Sequence, residues 1–124
     1  MARTRTSAKP VSFQHTAAQG ELYLQKISRL PKGLLQLKPV KGRLIVGHSE
    51  TGHHHVVDAE DANVYQDPNN PLNLFIEAIQ PTALVHLRPT DTHGPIAIEQ
   101  GDIVQVNVGR EFNPPTRGFV RSRD

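Results

Sequence analysis

The residues best suited to chemistry in this chain are its histidines, and five of the seven fall in two short stretches. His48, His53, His54 and His55 belong to Gly47-His-Ser-Glu-Thr-Gly-His-His-His55, and His93 belongs to Thr90-Asp-Thr-His-Gly94. His86 lies just upstream of the second stretch, in Leu84-Val-His-Leu-Arg88. Imidazole is the commonest metal ligand and the one side chain that titrates unperturbed near neutrality. The chain has no cysteine, which excludes thiolate nucleophiles, disulfides and thiolate metal sites. So many imidazoles beside glycine turns point to a divalent metal or to proton transfer. Three histidines with an open position or a carboxylate suit zinc, the favoured ion. Two histidines with a carboxylate suit iron(II) or manganese.

The spacing suggests how these groups converge. If residues 49–52 form a four-residue turn, residues 44–48 pair antiparallel with 53–57 and His48 stands opposite His53. Directly opposed residues place their Cβ atoms about 4.5–5.5 Å apart, a workable grip for one ion. His53 and His55 share a strand face while His54 points to the other. A one-residue slip would reverse that assignment. The alternative is a polar turn whose histidines bond to backbone and solvent. In the second region, alternation puts His86 and Arg88 on one face, a ligand beside an anion-binding guanidinium. Arg88 could equally pair with a neighbouring acid on an exposed strand. Asp91 could orient His93 as a general base, or Asp91 and Thr92 could simply stabilise a loop. In an enzyme, His93, Asp91 and Arg88 would be the catalytic group. Ser49 sits in no nucleophile elbow, and the chain has no Gly-rich phosphate loop and no HExxH helix.

The elements that must position these groups read as strands. At 124 residues the chain suits one domain with one modest core. From Gly20 onward, short apolar runs are broken repeatedly by Pro, Gly, Asn and Asp, the pattern of an all-β domain. Candidate strands cover residues 21–27, 34–37, 43–47, 53–58, 72–79, 83–88, 96–98, 102–108 and 118–121. Val104, Val106 and Val108 alternate with Ile103, Gln105 and Asn107, as one buried and one outer face require. Asp67-Pro-Asn-Asn-Pro71 marks a turn. Residues 72–80 could instead be a short helix capped by Asn70. The expected architecture is a small all-β barrel or sandwich over residues 20–124, with a flexible basic arm at residues 1–19.

Charge is strongly segregated. Residues 1–43 carry nine Lys and Arg against Glu21 alone, whereas residues 44–109 carry nine acids against Arg88. The clustered histidines therefore sit in the acidic block, where carboxylates can ligate a cation or orient imidazoles. The basic arm suits a protein partner, an assembly or an oligomer. It could also fold back over the acidic middle. With Phe13 as its one aromatic, the arm offers little for sequence-specific nucleic-acid binding. No run approaches the roughly 20 apolar residues of a membrane-spanning helix, and the basic start precedes no apolar segment of a secretory signal. The expectation is a cytoplasmic protein.

Around the hairpin the spacing resembles the first signature of cupins, small jelly-roll barrels that commonly hold a metal. Gly47, five residues, His53-His54-His55, four residues and Glu60 follow that pattern, with Asp67 where glycine is expected. The resemblance implies His53, His55 and Glu60 as ligands, and a metal-dependent hydrolase or oxygenase as the enzymatic outcome. Its second histidine motif is missing, so His86 or His93 would have to substitute. The stretches Gly47–Val57 and Leu84–Ile98, with Gly101-Asp-Ile-Val-Gln-Val and Arg110-Glu-Phe, also resemble small uncharacterised proteins of bacteriophages and prophages. Related sequences tend to have a glutamine-arginine pair where this chain has Val108-Gly109. That likeness implies a host-cytoplasmic protein or a virion component and carries no activity. The combined expectation is a histidine-rich metal site drawn from His48, His53, His55, Glu60 and His86, structural or ligand-binding in role. A metal-free interaction component is the alternative.

Overall fold

The computed structural model describes residues 10–47, 54–86, 94–108 and 119–121. Its elements are all strands: β1 (Thr16–Gln19), β2 (Leu22–Ile27), β3 (Leu35–Gln36), β4 (Arg43–Gly47), β5 (His55–Asp58), β6 (Ala62–Asp67), β7 (Asn70–Ala78), β8 (Thr82–His86), β9 (Ile96–Ile98), β10 (Ile103–Val108) and β11 (Phe119–Arg121). Among the described residues no helix is long and apolar enough to cross a membrane.

The strands form two sheets. One runs β11-β1-β2-β10-β7-β6-β3, and the other runs β4-β5-β8-β9. Neighbours pair antiparallel except β1 with β11, which are parallel. Neither sheet closes into a barrel, so the fold is a sandwich. Alternation sends Leu22, Leu24, Val104, Val106 and Ile76 inward from the larger sheet, where they meet Leu44, Val46, Val57, Leu84 and Ile98 of the smaller one. The expected inward face of β10 is thus present at Val104 and Val106.

Two expectations change, and one open alternative is decided. The strand expected at residues 72–79 is present and the alternative helix over 72–80 is not: β7 runs through to Ala78 and pairs with β6 on one side and β10 on the other. Two flanking ladders outweigh the local capping signal. Residues 10–19 are not a free arm, because Phe13, Ala17, Ala18 and Gln19 are buried and β1 pairs with β2 through a two-residue turn at Gly20-Glu21. Gly20 takes φ +58° there, a conformation glycine adopts without steric cost. Val11 also bridges to Ile96, donating to Pro95 O and accepting from Ala97 N, both at 2.9 Å. This segment is therefore committed to the domain's own sheets. The other change adds β6 (Ala62–Asp67), which no sequence signal marked.

Candidate functional site

β4, β5 and β8 lie side by side, and their pairing decides which histidines meet. The expected register holds at Leu44 opposite Val57 and Ile45 opposite Val56. A bulge between Ile45 and Gly47 then shifts it, so that Gly47 rather than Val46 faces His55. The expected pairing of His48 with His53 lies outside the described residues, and the register it assumed is already displaced before it. On the other side of β5, His55 pairs directly with His86 of β8. The two rings stack with centroids 4.1 Å apart and planes within 2° of parallel.

Both rings are buried, His55 at 5% and His86 at 7% exposure, and a third side chain sets their chemistry. Gln19, at the end of β1, is fully buried. Its Nε2 donates to Leu84 O at 3.0 Å and to Gly94 O at 2.8 Å, and its Oε1 lies 2.8 Å from His55 Nδ1. Backbone carbonyls only accept, so the amide nitrogen must face them and the amide oxygen must face the imidazole. That oxygen is an acceptor, so His55 Nδ1 carries the proton. In the neutral ring, Nε2 then holds the lone pair, the form required of a metal ligand or a base.

Gly47 makes the close approach of β4 possible. A Cβ at this position would lie 2.7 Å from Leu22 Cδ2 and 3.4 Å from His55 Cδ2. Only a bare backbone passes between the core leucine and the imidazole edge.

The other expected site residues are distributed differently. His54 precedes β5 and is half-buried. Glu60 does not join the His55–His86 pair: it is exposed in the turn after β5, where its carbonyl accepts from Gln80 Nε2 at 3.1 Å. Asp58 is already three residue steps beyond His55, a displacement of about 10 Å along the strand, so Glu60 belongs to the opposite end of the strand. His48, His53, Arg88, Asp91 and His93 lie outside the described residues. Among the described residues no three His, Cys, Asp or Glu side chains are grouped to hold a metal ion. Gln19 was missed in sequence because it lies in a segment read as an arm. Its signal was the Gly20-Glu21 hairpin pair, which implies a strand before it as well as after it.

A family model for a domain of unknown function, DUF8820, matches residues 18–107. The chain belongs to the DUF8820 family. The DUF8820 match takes in Gln19, the His55–His86 pair and both histidine-bearing stretches. No curated protein and no solved structure matches the chain.

Proposed function

We propose that this DUF8820 domain binds a divalent transition metal, zinc foremost, with His55 Nε2 as the first ligand and a structural or ligand-binding role. The observation that supports the reading is the Gln19 carboxamide. Metal-ligating histidines commonly donate their second ring N–H to an oxygen acceptor that fixes tautomer and ring orientation, and Gln19 Oε1 stands in that position at 2.8 Å.

The proposal gives His86 a different part from the one expected of it. Imidazole lone pairs lie in the ring plane, so two stacked, parallel rings cannot aim at one ion. His86 holds the His55 ring by stacking, and further ligands must come from elsewhere. His48, His53 and His93 are the candidates, and all three lie outside the described residues. In the chain, His48 directly follows Gly47, His53 is two residues before His55, and His93 directly precedes Gly94.

The test is elemental mass spectrometry of untagged protein beside two variants. Near-stoichiometric metal that is lost in His55→Ala and kept in His86→Phe is the expected result. Metal loss should also set in as pH falls, since the ligand must be the neutral imidazole. Protein that holds no metal, with a melting temperature unmoved by added zinc, would end the reading.

A further inference from the structure

The outward face of the seven-stranded sheet carries a second polar region, separate from the histidines. Cross-strand register aligns Gln25, Gln105, Phe75, Tyr65 and Gln36 as successive partners on β2, β10, β7, β6 and β3. Neighbouring strands are about 4.8 Å apart, so this row repeats on a scale close to that of successive sugars in an extended glycan. Tyr23, Asn107 and Asn73 form the next row. Both tyrosines of the chain, Tyr23 and Tyr65, are on this face, and Tyr65 donates to Glu77 Oε1 at 3.2 Å.

A groove of about 600 Å³ opens here, between the segment following β2 and the β6–β7 turn. Its volume falls within the usual range for small-molecule sites. Asp67, Asn73 and Gln105 supply its polar lining, Ile27 and Leu34 contribute apolar surface, and Arg29 and Lys32 stand exposed on its rim. Gln105 Nε2 donates to Asn73 Oδ1 at 2.9 Å, and Asn73 Nδ2 donates to Asp67 Oδ2 at 3.4 Å. Asp67 Oδ1 in turn accepts from Asn69 N at 2.8 Å. These bonds hold the amides in place. Each amide has two N–H donors and a two-lone-pair oxygen, so capacity remains for a ligand.

Fixed groups that both donate and accept, next to apolar walls, suit a molecule with many hydroxyls and apolar C–H faces. The two rim cations add affinity for a carboxylate. A compact phosphate dianion fits less well, because it has no apolar C–H face to set against Ile27 and Leu34 and is too short to reach from the rim cations along the amide row. An extended peptide fits less well too, because β10 and β7 are already paired on both sides and have no ladder to extend. We propose that this groove binds an acidic oligosaccharide, with its hydroxyls on Gln105 and Asn73 and its carboxylate on Arg29 and Lys32.

The test begins with an array of uronate-, sialate- and neutral-terminated glycans, followed by calorimetry on the best acidic glycan and its neutral analogue. Binding of an acid-bearing glycan is expected. It should weaken at least tenfold in the double variant Arg29→Ala/Lys32→Ala, whose exposed positions leave the melting temperature unchanged, and be lost in Asn73→Ala/Gln105→Ala. His55→Ala should bind as the wild type does, so success or failure here is independent of the metal site. No glycan bound, equal affinity for the neutral analogue, or affinity indifferent to all four groove substitutions would overturn the proposal. So would inorganic phosphate that competes with the glycan at equal concentration.

Discussion

Two polar regions of this domain are built from the same carboxamide chemistry and put it to opposite uses. At the sheet interior, Gln19 is fully buried and all of its identified bonds run inward, to two carbonyls and one imidazole. On the outer face, Gln105 and Asn73 are half-buried and bond to each other and to Asp67. Burial makes the difference. A polar group removed from water must have its partners fixed, and a network in low dielectric then has a single acceptable arrangement. At a wet surface the same group can exchange partners, which suits it to reading a ligand. Gln19 sets the protonation of another residue, whereas Gln105 keeps bonding capacity available.

The largest effect expected from this contrast is in stability. Gln19→Leu leaves two carbonyls and one ring N–H without their partner and should cost about 3 kcal/mol. Gln105→Leu should stay within about 0.5–1 kcal/mol. Urea denaturation of both variants checks it, and equal losses would erase the distinction between the regions. Gly47→Ala comes next: its Cβ must displace Leu22 or the imidazole, at about 1–3 kcal/mol. If His55 depends on that close approach, the same variant should lose metal beyond what its lowered stability explains. The smallest effect belongs to the outer face. Burial, followed by the neighbouring Glu77 carboxylate and its hydrogen bond, pushes the Tyr65 phenol above its ordinary value. The folded state therefore resists ionising Tyr65. Its stability is complete below the ordinary tyrosine pKa of about 10 and declines as pH rises through the raised value. Wild type should lose more stability than Tyr65→Phe between pH 9 and pH 11, and denaturation curves that stay parallel would contradict this.

Strands with branched or long apolar residues were legible in sequence. Residues 43–47 and 96–98 coincide with β4 and β9, and the valine alternation of β10 marked its inner face at Val104 and Val106. The two strands that escaped both place alanine among their inward residues. β1 turns Ala17 and Gln19 toward the interior and β6 begins with Ala62, and alanine gives little hydropathic contrast. For β7, a local helix signal competed with pairing to partners distant in sequence, and only the sheet resolves that contest. At the site, His55 and His86 could be named from their types, but their stacking could not. The bulge before Gly47 shifts the register by one residue, and nothing in the apolar pattern announces it. Gln19 is a neutral amide 36 residues from the imidazole it orients, and no motif spacing links the two.

The segment around Val11 and β1 has a consequence for how the molecule is made. It joins both sheets, pairing with β9 through Val11 and with β2 and β11 through β1. Residues 10–19 are translated before the strands they join, since Ile96 comes 85 positions after Val11 and β11 comes later still. β1 can pair locally with β2, but its bridge to β9 and its pairing with β11 have to wait until those strands exist. Contacts of such sequence separation are costly to close and slow to form. The first part of the domain to be translated is then among the last to be locked, and until it seats, Gln19 cannot fix the His55 ring. The chemistry of the buried end is an assembly-dependent property, acquired when β1 meets segments translated long after it.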